Sequence, residues 1–220
     1  MDDILTEVEK NIKRFVVNEF GTNCYIYKDS DTNESIVIDP GGKEKQIIDF
    51  IKTNNLTLKY IILTHCHYDH ILALDKIIED FNVPVIIHMD EYQSIMDDAI
   101  NLSLYFGSPI SNKLTNINWL KVKDMDIVKL GNQNIYILHT PGHTKGSICL
   151  YIKDKFLFTG DTLFCGSVGR TDFPTGDIEQ IDESLKRIIF LPANIIFFPG
   201  HGEPCIVGEE KSHNPFLKIL

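Results

Sequence analysis

The stretch LTHCHYDHILALDKI, residues 63–77, carries three histidines and an aspartate within six positions, directly after an apolar run. In an extended segment residues i and i+2 point the same way, so His65 and His67 can converge on one ion. Asp69 and His70 fall in the first turn of the predicted helix that follows, where they diverge from that pair and can serve a second ion. Four such groups beside a core strand would be costly without a partner. The cluster therefore predicts a metal site.

Three further candidate ligands also stand where a predicted strand gives way to a loop. His143 follows YILHTPG, Asp161 follows FLFTG, and His201 follows IIFFPG. Loops at strand ends are where a rigid scaffold presents functional groups. Taken singly, each residue is more often a turn or surface residue, but four separate strands that end in a candidate ligand favour a shared metal site. The donors are imidazole nitrogens and carboxylate oxygens, a set that suits zinc, iron or manganese.

The apolar patterns predict two halves of similar build. In each half, strands rich in β-branched and aromatic residues are followed by a helix and a further strand. This order predicts two β-sheets packed as a sandwich, within a single domain of residues 1–220. Helices are predicted at residues 43–55 and 69–81.

A third helix is predicted at residues 177–190, and a segment compatible with several structures precedes the second half. Asp177 is the predicted N-cap of that helix, with Gln180 as its partner in a capping box. Residues 90–107 fit an amphipathic helix. The wider segment 90–118 is compatible with a packing helix, a dimer surface or a lid that carries Tyr105 and Phe106. The predicted buried face of the third helix consists of Ile178, Ile181, Leu185 and Ile188.

Composition and charge narrow the class of protein. The formal net charge of -10 argues against broad binding to nucleic acid or to an anionic membrane. The acidic N-terminus is unlike a secretory signal, and no apolar run is long enough to span a membrane. Five scattered cysteines without a CxxC pair are typical of reduced thiols in a cytoplasmic protein. Cys165 is expected to be a small buried residue, and Cys66, between the paired histidines, to point away from them.

Together these motifs resemble the metallo-β-lactamase-fold superfamily. HxHxDH at 65–70, TPGHTKGS around His143, TGDTLF around Asp161 and PGHG around His201 occur in the order of that family. The resemblance implies an α+β, four-layer αββα sandwich in which two mixed β-sheets pack face to face with helices outside. It also implies two divalent metal ions, zinc foremost, with iron or manganese as alternatives. The first metal would be held by His65, His67 and His143, the second by Asp69, His70 and His201, and Asp161 would bridge them; Asp69 and Asp161 are the expected catalytic residues.

Finer features are similar to one branch of that family. GDTLFCGSVGRTDFPTGD and EEKSHNPFL resemble glyoxalase II-like hydrolases, particularly the short bacterial form. Nineteen residues follow His201, so the C-terminal helical domain that helps full-length glyoxalase II to hold glutathione is expected to be absent. The resemblance implies hydrolysis of a small-molecule thioester of the hydroxyacylglutathione type by a metal-bound hydroxide. The oligomeric state is left open.

Two other functions are compatible with the same residues. THCHYDH and GRTDF also look like the persulfide dioxygenase branch, which uses a single iron. A non-catalytic metal-binding scaffold is the third possibility, although no ligand of the set is missing. Arg170 resembles the place where glyoxalase II has a basic residue for the glutathione carboxylate. It could clamp a substrate carboxylate through its planar fork, or pair with Asp172 and shape the loop.

Overall fold

The computed structural model describes residue 8 and residues 10–218, and two six-stranded sheets dominate it. Both sheets are mixed, because each combines parallel and antiparallel pairs of strands. The first sheet has the order β1-β2-β3-β4-β5-β6, and the second has the order β14-β13-β10-β9-β8-β7. The first sheet consists of β1 (Ile12–Val16), β2 (Asn23–Lys28), β3 (Glu34–Ile38), β4 (Thr57–Ile62), β5 (Val85–His88) and β6 (Trp119–Val122). The second consists of β7 (Ile127–Leu130), β8 (Gln133–His139), β9 (Ile148–Ile152), β10 (Phe156–Gly160), β13 (Ile196–Pro199) and β14 (Cys205–Ile206).

A small hairpin and six α-helices that the structure describes over their full length accompany the two sheets. The hairpin pairs β11 (Leu163–Phe164) with β12 (Ser167–Val168). A single 3-10 turn spans Ser111–Lys113. The helices are α1 (Glu44–Thr53), α2 (Tyr68–Ile71), α3 (Leu74–Phe81), α4 (Tyr92–Ile95), α5 (Ile178–Ile189) and α6 (Val207–His213).

Three apolar clusters divide the molecule into four layers. Alternate residues of a strand face opposite sides of its sheet, so Ile36 and Ile38 pack between the sheets while Val37 packs towards the first helical layer. In the second sheet Phe156 faces the central cluster, and Leu157 packs with α5. The order is therefore helix, sheet, sheet, helix, and the predicted αββα sandwich is confirmed.

The predicted helix at residues 69–81 is divided into α2 and α3. Ala73 departs from helical geometry, with φ of -101° and ψ of 6°, and its N–H donates to the carbonyl of Pro40 at 2.9 Å. The prediction of one continuous helix was therefore wrong, because a tertiary hydrogen bond replaces a helical one. Asp69 and His70 lie in α2 as expected, so the short helix separates them from the strand end that carries His65.

The predicted helix at residues 90–107 was also wrong beyond its first turn. Only Tyr92–Ile95 are helical, and turns follow up to residue 107. The carboxylate of Asp98 accepts hydrogen bonds from the backbone N–H of Ile110 at 2.9 Å and of Ser111 at 3.0 Å. It also accepts from the hydroxyl of Ser103 at 2.8 Å. These side-chain bonds compete with a helical ladder and fold the segment into a compact loop, the 98–111 loop.

The N-cap of α5 is confirmed, whereas one residue of its predicted buried face was wrong. Asp177 accepts from the N–H of Glu179 at 2.9 Å and of Gln180 at 3.1 Å. The Gln180 amide also donates to the Asp177 carboxylate at 2.9 Å. Ile181, Leu185 and Ile188 are buried, but Ile178 is 62% exposed because it stands at the first position of the helix, before its contact with the sheet.

The expectation of five reduced cysteines, with Cys165 buried, was wrong. Cys165 and Cys205 form a disulfide that joins the β11–β12 hairpin to β14, and Cys165 is exposed rather than buried. The two residues lie 40 positions apart in sequence, but the fold brings their Cα atoms to 5.7 Å, a distance that suits a disulfide. Cys24, Cys66 and Cys149 are free and buried, and Cys66 packs in the first apolar cluster. The cytoplasmic location loses the support of five reduced thiols and stays a prediction.

Within the described residues, no helix has both the length and the apolar character needed to cross a membrane.

Candidate metal centre

Seven predicted donors meet at one edge of the two sheets. His65 and His67 follow β4, and Asp69 and His70 belong to α2. The remaining three donors come from the second half of the chain. His143 lies in the loop between β8 and β9, Asp161 follows β10, and His201 follows β13.

The first donor group comprises His65, His67 and His143, each of which is buried. One ring nitrogen of each lies within 4.8 Å of the others. His143 Nδ1 donates to the carbonyl of Arg170 at 2.7 Å, which leaves its Nε2 lone pair directed at His67 Nδ1, 2.9 Å away. Burial, followed by the neighbouring histidines, lowers the pKa of His65, and burial with His143 lowers the pKa of His67 to about 3. The lowered pKa values of His65 and His67 favour their neutral rings, which is the form that binds metal.

The second donor group comprises Asp69, His70 and His201. Asp39 accepts from His70 Nδ1 at 3.0 Å, and the carbonyl of Phe20 accepts from His201 Nδ1 at 3.1 Å. The two Nε2 atoms therefore face each other at 3.4 Å. Asp69 Oδ2 lies 3.5 Å from His70 Nε2 and 3.3 Å from His201 Nε2.

The carboxylates of Asp69 and Asp161 favour positive charge on the histidines of the second group. Burial alone would lower the pKa of His70, but Asp69 and Asp161 outweigh it and raise that pKa to about 9. His201 behaves in the same way, and the two carboxylates raise its pKa to about 10. Burial would raise the pKa of Asp69, yet His70 and His201 hold it far below its usual range. A bound cation would stabilise these two carboxylates in the same way as the positive charge on the histidines.

Asp161 lies between the two groups. Its Oδ1 is 3.4 Å from His70 Nε2, and its Oδ2 is 3.6 Å from His143 Nε2 and 3.5 Å from His201 Nε2. Burial opposes ionisation, but the surrounding histidines, His70 first, lower the pKa of Asp161 to about 2. The carboxylate is thus ionised and within reach of both donor groups.

Buried polar atoms without partners show that the residues fit metal ions. His65 Nε2, His67 Nε2 and Asp161 Oδ1 are buried and form no hydrogen bond. A buried unsatisfied group costs about 1–3 kcal/mol, so three in one place call for a ligand. Nitrogen and carboxylate oxygen donors suit zinc, iron or manganese, so this donor set fits divalent metal ions.

Several residues that orient the donors were not found from the sequence. The Thr22 hydroxyl donates to Asp69 Oδ2 at 2.6 Å. Asp39, which holds His70, also accepts from the backbone and the hydroxyl of Thr64 at 2.8 and 2.6 Å. Asp39 lies close enough to His65 and His70 to be grouped with them, but these bonds occupy it as an orienting partner. Asp39 directly follows β3, and a position just after a strand is the feature that identified the metal donors.

Glu91 connects the loops that carry the first donor group. Its side chain is completely buried and accepts from the N–H of Cys66 at 3.0 Å and of Gly146 at 2.8 Å. One bond reaches the loop of His65 and His67, and the other reaches the loop of His143. Nothing in the local sequence indicated this role.

The two PGH segments need glycine for close packing. A Cβ atom at Gly200 would lie 2.0 Å from Asp161 Oδ1, and one at Gly142 would lie 2.3 Å from the backbone nitrogen of Ile181. Gly142 also has a φ of +134°. These glycines let the backbone before His143 and His201 approach the neighbouring groups closely.

A cavity of about 480 Å³ opens above the donors. The Phe20 ring meets the Phe106 ring with 4.9 Å between centroids. Phe173 lies 5.8 Å from the ring of His67, and Phe164 lies 6.0 Å from the ring of His201. The cavity lining also includes Leu102, Ser167, Val168 and Arg170.

Arg170 lines this cavity but is paired within its own loop. Its Nε and a terminal nitrogen donate to the two carboxylate oxygens of Asp172 at 2.6 and 2.7 Å. Its guanidinium carbon lies 3.8 Å from the centre of the Phe173 ring. Of the two roles predicted for Arg170, the pairing with Asp172 is the one that the structure shows.

Comparison with known proteins agrees with this architecture. The model of the metallo-beta-lactamase superfamily matches residues 17–201. The hydroxyacylglutathione hydrolase GloC of Haemophilus influenzae is 36% identical over 94% of this chain and 98% of its own. The crystal structure of the BLEG-1 B3 metallo-beta-lactamase has a TM-score of 0.86 at 36% identity, over 94% of this chain and 99% of its own. TTHA1623, solved in a di-iron-bound form, has a TM-score of 0.80 at 29% identity, over 93% of this chain and all of its own.

Proposed function

The chain belongs to the metallo-beta-lactamase superfamily, and from this membership and the donor geometry we propose that it is a binuclear metallohydrolase that cleaves thioesters. Superfamily membership and the likeness to hydroxyacylglutathione hydrolase GloC support a hydrolase. The proposed substrate is a small-molecule thioester, with neither nucleic acid nor membrane as a partner, in keeping with the net charge of -10.

One observation carries the proposal: two convergent donor groups share Asp161. His65, His67 and His143 would hold one ion, and Asp69, His70 and His201 the other. Asp161 approaches a ring of each group within 3.4–3.6 Å. The di-iron form of TTHA1623 supports two ions in a relative of this fold. We propose zinc as the metal, with iron or manganese as alternatives.

The chemistry divides between the ions and the chain. Two bound divalent ions would lower the pKa of a water molecule and polarise the substrate carbonyl. The chain orients the donors: Asp39 fixes His70, the Phe20 carbonyl fixes His201, and Thr22 fixes Asp69. A free thiol has a pKa of about 8.5, so a thiolate can leave without a strong acid.

The test combines metal quantitation with activity on one sample purified without chelator. We expect about two ions per chain and hydrolysis of thioesters. His201→Ala should reduce the stoichiometry to about one ion and slow hydrolysis about 100-fold or more. His213→Ala changes an exposed histidine on α6 and should alter neither.

Two results would contradict the proposal. One is a stoichiometry well below two ions, with no thioester cleaved after loading with zinc, iron or manganese. The other is hydrolysis of the β-lactam nitrocefin without any thioester turnover, a comparison that the likeness to the BLEG-1 enzyme makes necessary.

A second candidate function is an iron-dependent persulfide dioxygenase. The segments THCHYDH (64–70) and GRTDF (169–173) favour it, because both resemble that branch. Oxygen uptake by the iron-loaded protein with glutathione persulfide would support it. Under the leading proposal the oxygen electrode stays silent.

A further inference from the structure

The cavity above the metal donors is mainly apolar. Phe20 and Phe106 are 39% and 49% exposed at its mouth, although large aromatic side chains gain free energy when they are covered. The Phe106 ring is held in place, since it stacks on Tyr68 with centroids 5.4 Å apart and an angle of 12° between the rings. Preformed aromatic walls of this kind favour apolar ligands. Six of the side chains that line the cavity outside the donor set are apolar: Phe20, Leu102, Phe106, Phe164, Val168 and Phe173.

Little in this cavity would recognise a carboxylate. Among its lining residues in the described part of the chain, Arg170 alone carries a permanent positive charge. The edge of its guanidinium formed by Nε and one terminal nitrogen is engaged, because Asp172 takes two hydrogen bonds there at 2.6 and 2.7 Å. The pair is neutral as a unit. A substrate carboxylate would therefore have to displace Asp172 before it could bind Arg170 in the same way.

The position of Arg170 is also fixed through its backbone. Its carbonyl accepts the Nδ1–H of His143 at 2.7 Å, and its guanidinium stacks on Phe173. A shift of the Arg170 backbone would therefore disturb the orientation of a proposed metal ligand. Asp172 thus keeps Arg170 as part of the cavity wall.

We propose that this cavity selects thioesters whose acyl and thiol parts are both uncharged and apolar, and that the Arg170–Asp172 pair discriminates against carboxylate-bearing thiols such as glutathione. This inference rests on the proposed thioester hydrolysis and names its substrate class. Glutathione carries two carboxylates, whereas the cavity offers one arginine that is already paired. An aromatic or alkyl substituent, by contrast, would cover the exposed rings of Phe20 and Phe106.

The first test compares two substrates that share an acyl group. S-phenylacetyl-N-acetylcysteamine is neutral, and S-phenylacetylglutathione carries the two carboxylates. With the metal-loaded full chain, we expect kcat/KM to be at least about tenfold higher for the neutral ester. A ratio below ten, or a preference for the glutathione ester, would overturn the inference while leaving thioester hydrolysis intact.

The second test releases the arginine. Asp172→Asn removes the negative charge with little change of shape, so Arg170 becomes available to a substrate carboxylate. We expect KM for the glutathione ester to fall about tenfold and that for the neutral ester to stay within about twofold. The matched control is Asp49→Asn, which removes an exposed carboxylate from an ion pair with Lys45 on α1 and should change neither. An unchanged KM for the glutathione ester in Asp172→Asn would show that the Arg170–Asp172 pair does not discriminate against this ester.

A binding measurement separates the cavity from the chemistry. Calorimetry of the metal-loaded protein with S-benzyl-N-acetylcysteamine and S-benzylglutathione uses thioethers that cannot be hydrolysed. We expect the neutral thioether to bind more tightly, and Phe106→Ala to weaken it about tenfold. Phe190→Ala removes a ring that is 85% exposed at the end of α5 and should have no effect.

The outcomes of the binding measurement are distinct. Tighter binding of S-benzylglutathione, or an unchanged affinity in Phe106→Ala, would overturn the substrate class. Preferential binding of the neutral thioether without hydrolysis of any thioester would support the cavity inference and contradict the proposed function.

Discussion

The buried carboxylate of Glu91 accepts the backbone N–H of Gly146 at 2.8 Å, from a position 55 residues away in sequence. Its other oxygen accepts the N–H of Cys66 at 3.0 Å. One side chain therefore holds together the loops that place His65, His67 and His143.

Glu91→Ala should destabilise the protein and weaken metal binding. Two buried N–H groups would lose their acceptor, at a cost of about 1–3 kcal/mol each. We expect the free energy of unfolding in urea to fall by about 2–4 kcal/mol. Metal content after dialysis should fall in parallel. Glu183→Ala, at an exposed carboxylate paired with Lys186, is the control, and an equal loss in both variants would contradict the role of Glu91.

Asp39→Asn should weaken metal binding more than it weakens the fold. The Asp39 carboxylate accepts from His70 Nδ1, which directs Nε2 towards the centre of the second donor group. Loss of such a partner typically costs 10–100-fold in metal affinity. Competition with a coloured chelator measures this change, and an affinity within about twofold of wild type would refute the orienting role.

Asp98 should stabilise the 98–111 loop in a pH-dependent manner. Burial would raise the pKa of Asp98, but hydrogen bonds from Ser111, Ser103 and Ile110 lower it to about 2. Because the folded pKa lies below the unfolded value of about 3.9, the contribution is complete above about pH 4 and is lost as the pH falls towards 2. Asp98→Ala should therefore lower the free energy of unfolding by about 1–3 kcal/mol at pH 6.

The difference between wild type and Asp98→Ala is the quantity to follow with pH. Urea unfolding at pH 6, 4 and 3 should show that difference shrinking at the lowest pH. Differences that stay constant, or grow as the pH falls, would contradict the assigned cause. Because both proteins share the metal donors, titration of those groups cancels in the comparison.

Removal of the Cys165–Cys205 disulfide should lower global stability. The bond closes a loop between positions 40 apart, and a cross-link of that span stabilises by about 3–4 kcal/mol in the chain-entropy description. We expect Cys165→Ser to lose about 2–4 kcal/mol in urea unfolding. Reductant should produce a similar loss in the wild type and no further loss in the variant. A variant that remains sensitive to reductant would show that another bond is responsible.

The sequence predicted the parts of the site that depend on regular patterns. His65 and His67 alternate along an extended segment. His143, Asp161 and His201 follow the ends of strands, so the local sequence identified all five as candidate ligands. The two sheets followed from runs rich in β-branched and aromatic residues, such as Ile36, Val37 and Ile38, which pack on both faces of the first sheet.

Features that depend on long-range contacts were not predictable in this way. Glu91 acts on loops that only the folded chain brings together, and Cys165 meets Cys205 across 40 positions with no CxxC-like spacing to indicate a bond. The helix expected at residues 90–107 failed because Asp98 binds groups up to 13 positions away. Such tertiary hydrogen bonds override local helix propensity, and hydrophobic periodicity does not reveal them.

The division of the donors between the two sheets has a consequence for biosynthesis. His65, His67, Asp69 and His70 are made early, whereas Asp161 and His201 emerge only with the last strands of the second sheet. On the proposed ligand set, capture of both ions is therefore a late event in the life of the chain, possible only after the ribosome has passed His201. A nascent chain stalled before that point would hold an incomplete pair of sites, however well its first sheet had folded.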